Sequence, residues 1–192
     1  MNWQSEQPAT VLARLSRLFC SGQYLLETYT EKEVSQLLWE LIGASGELGV
    51  LFDPALPIDD RLETIATIKK FYGDVFLPCC QPLLLHGLRE TPPEISPLNT
   101  ICYMWWDIFP TWGKPEDPQA AKIDSAIMEL LGELLQFEHA ALRESAAHGL
   151  GHWHLSYAGN VEGIIDRFLE SKPSLSMEMQ NYLQAARAGC VN

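Results

Sequence analysis

Apolar residues recur at intervals of three and four positions along most of the chain, which is the spacing of one face of an α-helix. No stretch alternates between apolar and polar residues with a period of two, so we expect no β-strands. Proline and glycine divide the helical pattern into short segments. The apolar pattern predicts helices over residues 8–19, 31–42, 58–72, 98–109, 119–137, 140–157, 161–170 and 176–188. The segment 74–88 has only a weak helical pattern because Pro78 and Pro82 interrupt it.

Residues that favour helix ends lie near several of these limits. Thr30 and Glu33 form a Thr-x-x-Glu capping box, which predicts a helix start at residue 31. Further expected caps are Asn160 and Ser174 or Ser176 at N-termini, and Gly22, Gly159 and Gly189 at C-termini. The links between the last four helices are short, and short links place consecutive helices antiparallel and side by side. We therefore predict an all-α chain in which residues 1–192 form a single domain, a stack of antiparallel helix pairs.

Residues 128–153 resemble a HEAT repeat, in which a leucine-rich helix and a turn precede a second helix with the pattern Val/Leu-Arg-x-x-Ala-Ala-x-Ala-Leu-Gly-x-Leu. The matching positions are Leu142, Arg143, Ala146, Ala147, Gly149, Leu150, Gly151 and Trp153. Gly149 replaces the family's usual alanine, and Trp153 replaces its usual leucine. The resemblance implies a HEAT-like α-α superhelix, carried most clearly by residues 119–188. It also implies a concave helix face that binds a protein or peptide.

The predicted helix 140–157 has an apolar stripe and a polar side. With Ala146 at zero on a helical wheel, Glu144, His148 and His152 lie opposite the stripe, at about 160°, 200° and 240°. We expect these three side chains to form a solvent-facing ridge that contributes to binding. Gly149 lies on the flank of the stripe, where a residue without a side chain lets a neighbouring helix approach closely.

His148 and His152 are four residues apart, a spacing that places two imidazoles on one side of a helix and suits a metal ion. Glu144 lies about 12 Å along the helix from His152, too far to join both histidines on one ion. A third ligand would have to come from another helix, and the sequence identifies none. We therefore expect no metal and no cofactor.

The stretch 103–112 is rich in aromatic residues. Helical spacing places Trp105 and Phe109 on one buried face, while Tyr103 and Trp106 point elsewhere. Two interpretations stay open. The aromatic side chains either fill a core or form a recognition surface in which Trp106 and Trp112 contribute to binding.

The chain contains 25 acidic and 13 basic residues, which gives a formal charge of −12. Nucleic acid and anionic membranes are therefore poor partners, because both are bound mainly through lysine and arginine. The first residues show no basic segment followed by an apolar one, and no apolar run reaches the length of a membrane span. We expect a cytoplasmic protein whose partner, if charge contributes, is basic. The five cysteines lack Cys-x-x-Cys spacing and are expected to be reduced.

The leading hypothesis is a non-enzymatic module that binds a protein or peptide. A second hypothesis is an acidic inhibitor or immunity-type protein that blocks a basic partner. A third is a metal- or His/carboxylate-dependent enzyme with its site at Glu144, His148 and His152. No nucleotide-binding loop or nucleophile elbow is present. The identity of the partner and the oligomeric state stay open.

Overall fold

The computed structural model describes residues 7–44, 46–88, 92, 94–172 and 174–191, and it is all-helical over these residues, without a strand. The α-helices of this described part are α1 (Pro8–Cys20), α2 (Gly22–Thr28), α3 (Glu31–Trp39), α4 (Ile58–Phe71), α5 (Leu77–Cys79), α6 (Pro97–Met104), α7 (Pro118–Leu134), α8 (Ala140–Ser171) and α9 (Met177–Arg187). Short π-helical turns, Glu40–Ala44 and Tyr72–Phe76, continue α3 and α4, and a 3₁₀ helix spans Glu47–Phe52. The all-α prediction is confirmed.

The helices pack into one domain around α8. α1 packs on α4, α4 on α7, and α7 on α8, while α6 and α9 also contact α8. One continuous apolar core connects these elements. None of the described helices combines the length and apolar character that a bilayer span requires.

Several predicted helix ends are confirmed. Thr30 Oγ1 accepts a hydrogen bond from the Glu33 N–H at 3.3 Å, and the Glu33 carboxylate accepts one from the Thr30 N–H at 2.9 Å. This is the reciprocal pairing of a capping box. Ser176 caps α9 by accepting from Met179 N, and Gly189 follows α9 with a φ of 69°.

Gly22 was expected to end the first helix, and that expectation is wrong. α1 ends at Cys20, and Gly22 begins a second helix that the pattern did not predict. A Cβ at Gly22 would lie 2.7 Å from Asp74 Cβ and 2.8 Å from Val75 Cγ2. The glycine is therefore needed for close packing between α2 and the π-helical turn after α4.

The expected gap between the helices 140–157 and 161–170 is also absent. α8 runs from Ala140 to Ser171 and breaks only at Tyr157, where φ is −138° and ψ is 46°. The helix has already resumed at Gly159 and Asn160, so neither acts as the expected cap. The Tyr157 hydroxyl donates to Asp124 Oδ2 at 2.8 Å, which ties the break to α7.

α6 ends at Met104 rather than at residue 109, and the following turns carry two adjacent buried tryptophans. Trp105 is fully buried among Phe19, Phe71 and Phe76. Trp106 was expected to point away from the core, but it is also fully buried, against Trp153. The core interpretation of the aromatic stretch therefore holds for both tryptophans.

The close approach predicted at Gly149 is confirmed. A Cβ at this position would lie 2.8 Å from Leu131 Cδ2 on α7 and 2.8 Å from Trp106 Cγ. Both distances are shorter than an ordinary van der Waals contact, and the fully buried Trp106 has no space to move. The absence of a side chain at Gly149 thus sets the distance between α8 and its neighbours, α7 and Trp106.

We predict that Gly149→Ala lowers the free energy of unfolding by about 1–3 kcal/mol, because overpacking outweighs the gain in helix propensity. Gly159→Ala is the matched control on the same helix, since its Cβ would meet nothing within 4 Å. That control should raise stability by up to about 1 kcal/mol. Urea titration measures both, and equal stabilisation by the two variants would refute the close-packing role of Gly149.

Candidate metal centre

The first half of α8 is enclosed by other elements. Nearly every residue from Ala141 to Gly151 is buried, on the polar side of the helix as well as on the apolar stripe. Glu144 is 0% exposed and His148 is 2% exposed, while His152 is partly buried. The expectation of a solvent-facing ridge is therefore wrong. A helical wheel distinguishes two faces of a helix, but it does not show that α6 and α9 cover the second one.

Three potential ligand atoms converge beside this face of α8. Asp107 Oδ1 lies 3.1 Å from His152 Nε2 and 3.5 Å from His148 Nε2. The two Nε2 atoms are 3.1 Å apart. The histidines come from α8, and Asp107 comes from the turns that follow α6. The structure thus places a third candidate ligand, Asp107, which the sequence did not identify, beside the two histidines.

The spacing of these atoms fits a transition-metal ion. A circle through three points with the separations given above has a radius of about 1.9 Å, slightly less than the roughly 2.0–2.1 Å of Zn–N bonds. The three side chains could therefore hold one such ion together. Two histidines and one carboxylate form a donor set that suits zinc or ferrous iron.

Burial keeps both imidazoles in the form that binds a metal. Burial, with a smaller contribution from the nearby His152, lowers the pKa of His148 to about 4, although Asp107 acts in the opposite direction. Burial also lowers the pKa of His152. Both rings are therefore neutral near pH 7, and a neutral imidazole has a lone pair for coordination.

Aromatic side chains surround the two histidines. Tyr182 on α9 places its hydroxyl 2.7 Å from His148 Nδ1. The Tyr103 ring lies 4.7 Å from the His148 ring. Trp112 stacks on His152 at 4.8 Å with an interplanar angle of 14°. The sequence placed Trp112 in a binding surface, and the structure places it against a candidate ligand, with its side chain still partly exposed.

The loop that carries Trp112 is held in place by polar contacts. Trp112 Nε1 donates to the Trp106 carbonyl at 3.0 Å, and Lys114 N donates to Asp124 Oδ2 at 2.7 Å. Gly113 lies between them with a φ of 112°, a conformation that favours glycine. The loop therefore presents the Trp112 ring to His152 in a defined position. Trp106 contributes its carbonyl, but its buried ring has no exposed surface for a partner.

Glu144 has a supporting position rather than a ligand position. Its carboxylate accepts hydrogen bonds from Leu85 N at 2.8 Å and from His86 N at 2.7 Å. His86 Nδ1 lies 2.7 Å from the same carboxylate, and the His86 ring stacks on Tyr182 at 3.9 Å. Burial raises the pKa of Glu144, whereas these hydrogen bonds lower it. Glu144 thus anchors the segment after α5 against α8.

Sequence reasoning missed four members of this site, which are Asp107, Tyr103, His86 and Tyr182. Asp107 was the most accessible to prediction, because it is the lone acidic residue in an aromatic stretch. It lies 45 residues before His152, so only the fold shows their proximity.

The centre is open on one side. The Asp107 side chain is 36% exposed and that of His152 is 17% exposed, whereas that of His148 is 2% exposed. A water molecule or a small ligand would therefore approach past Asp107 and His152. Among the described residues, this is the cluster in which three metal-ligating side chains converge.

No protein-family model, no curated protein and no solved structure matches this chain. The function therefore has to be inferred from the geometry of the site and from the sequence.

We predict that Glu144→Ala lowers the free energy of unfolding by about 3 kcal/mol, because it leaves the N–H groups of the partly buried Leu85 and His86 without their acceptor and opens a cavity at a fully buried position. Glu162→Ala is the control on the same helix, where the side chain is 40% exposed and the change should stay within about 0.5 kcal/mol. Chemical denaturation compares the two. Equal effects would show that Glu144 is not an anchor.

Proposed function

We propose that the protein binds one divalent transition-metal ion through Asp107, His148 and His152, and that it is a metal-dependent enzyme. The observation that carries the proposal is the convergence of three ligand atoms within 3.5 Å of one another. Buried neutral imidazoles and a partly exposed carboxylate support it. The proposal replaces Glu144, the acid named in the sequence-based enzyme hypothesis, with Asp107.

Three protein ligands are the number typical of a catalytic zinc site, since structural zinc sites usually have four. Asp107, His148 and His152 would hold the ion and leave a position for water or substrate. The chemistry supplied there would be that of a Lewis acid, which lowers the pKa of water or polarises a carbonyl group. Hydrolysis assisted by the metal is the reaction class that best fits a mononuclear centre with one open side. Residues of this chain orient the ligands and limit the access of solvent.

We predict that protein purified without an affinity tag and incubated with zinc retains one equivalent after dialysis. Asp107→Ala should weaken zinc binding at least tenfold, since two histidines alone form an incomplete site. Asp107 is the preferred position because its side chain is 36% exposed, so the variant should fold. His154→Ala is the control, since His154 lies on the same helix and contacts Glu162 instead.

Metal analysis and calorimetric titration measure the stoichiometry and the dissociation constant. Zinc at about one hundred times its dissociation constant should stabilise the wild type by about 2.7 kcal/mol, and excess chelator should remove that gain. The proposal is refuted if zinc, cobalt, manganese and ferrous iron all fail to bind or to raise the melting temperature. A loss of binding in His154→Ala equal to that in Asp107→Ala would also contradict it.

A second proposal, independent of the metal, is that the protein is a HEAT-like interaction module. The resemblance of residues 128–153 to a HEAT repeat supports it, together with an open groove of about 930 Å³ between α7 and the second half of α8. Apolar side chains of Met128, Ile164 and Phe168 line the groove, beside Glu129 and Arg167. The net charge of −12 favours a basic protein or peptide.

We predict that replacing Ser125 and Gln136 with arginine, at exposed positions along the groove, reduces the binding of a basic partner without unfolding the protein. Gln119→Arg, also exposed on α7 but outside the groove, is the control. Quantitative affinity purification with the three proteins tests this. A partner retained equally by all of them does not bind in the groove.

A further inference from the structure

We propose that Tyr182 is a positioning residue of the metal centre. Its hydroxyl oxygen accepts a hydrogen bond from His148 Nδ1–H, which leaves the lone pair of Nε2 free for the ion. The inference rests on the proposed metal function and names a residue outside the ligand set. The role of Tyr182 is to stabilise the tautomer of His148 that carries its proton on Nδ1.

The two nitrogens of His148 have different neighbours. Nδ1 lies 2.7 Å from Tyr182 Oη, while Nε2 lies 3.1 Å from His152 Nε2 and 3.5 Å from Asp107 Oδ1. A neutral imidazole carries a single proton, so a proton held at Nδ1 leaves the lone pair on Nε2. Nε2 is also the His148 nitrogen that lies within 3.5 Å of the other two candidate ligand atoms. The Nδ1–H tautomer is therefore the one that binds a metal.

A phenol can donate or accept a hydrogen bond, and the surroundings of Tyr182 decide which it does. When Nε2 holds the ion, the His148 proton must lie on Nδ1, which is 2.7 Å from the Tyr182 hydroxyl oxygen. The Tyr182 oxygen then accepts the hydrogen bond, because a ring N–H can only donate.

Further contacts hold the Tyr182 ring in this position. Tyr182 is 5% exposed, and the His86 ring stacks on it with an interplanar angle of 16°. His86 is fixed in turn by the Glu144 carboxylate, 2.7 Å from its Nδ1. Three elements therefore set the orientation of one ligand: α8, α9 and the segment after α5. A partner that orients a metal-bound histidine typically changes metal affinity 10- to 100-fold when it is removed.

The test compares Tyr182→Phe with Tyr72→Phe. Tyr72 is fully buried, and its hydroxyl lies 2.9 Å from Ser145 Oγ, so both variants remove one buried phenol hydroxyl. Zinc dissociation constants are measured by competition with a chromophoric chelator. Tyr182→Phe should weaken zinc binding about 10- to 100-fold with the stoichiometry unchanged. Tyr72→Phe should leave the constant within about twofold, even if both variants lose similar stability.

A second measurement reports the tautomer directly. Correlation spectra of ¹⁵N-labelled histidine rings in metal-free protein should assign the proton to Nδ1 of His148 in the wild type. In Tyr182→Phe the ring should become a mixture of tautomers. If Tyr182 had only a structural role, its replacement by phenylalanine would not change the tautomer of His148.

Unchanged affinity together with an unchanged tautomer in Tyr182→Phe would overturn the positioning role while leaving the metal site intact. A wild-type protein that binds no metal would overturn the proposed function, and the positioning role with it. The two failures are thus distinguishable.

Discussion

The enclosure of the first half of α8 is the constraint on which the rest of the structure depends. A helix covered on every side has to satisfy its polar side chains inside the protein, since a buried group without a partner is strongly destabilising. Glu144 meets this condition through the N–H groups of Leu85 and His86. Ser145 donates to the Cys102 carbonyl at 2.5 Å, and His148 bonds to Tyr182. Each of these contacts fixes a neighbouring element against α8.

The same contacts build the candidate metal centre. Both histidines project from a rigid helix, and the Tyr182 hydroxyl at His148 and the Trp112 ring stacked on His152 restrict their motion. Sites on regular elements hold their geometry better than sites on loops. The third ligand lies outside a helix, but Asp107 directly follows Trp106, whose ring is buried against Trp153. The aromatic core therefore determines where the carboxylate lies.

Gly149 connects the core to the site. Because it has no side chain, α8 packs directly against Leu131 on α7 and against Trp106. A wider separation would move His148 and His152 away from Asp107, and metal coordination tolerates little displacement. Gly149 thus also sets a distance within the candidate metal centre.

The sequence by itself determined the elements that depend on neighbours along the chain. Periodicity predicted most of the helices, although not α2. Thr30 marked one helix start and Ser174 or Ser176 another, and the spacing of His148 and His152 placed two imidazoles on one side of α8. Only the tertiary structure decided what covers that side. The contacts of His152 with Asp107 and of Glu144 with His86 join residues 45 and 58 positions apart. Helical periodicity is a local property, so it separates the faces of one helix, whereas the chemistry of a buried face depends on which distant residues the packing brings to it.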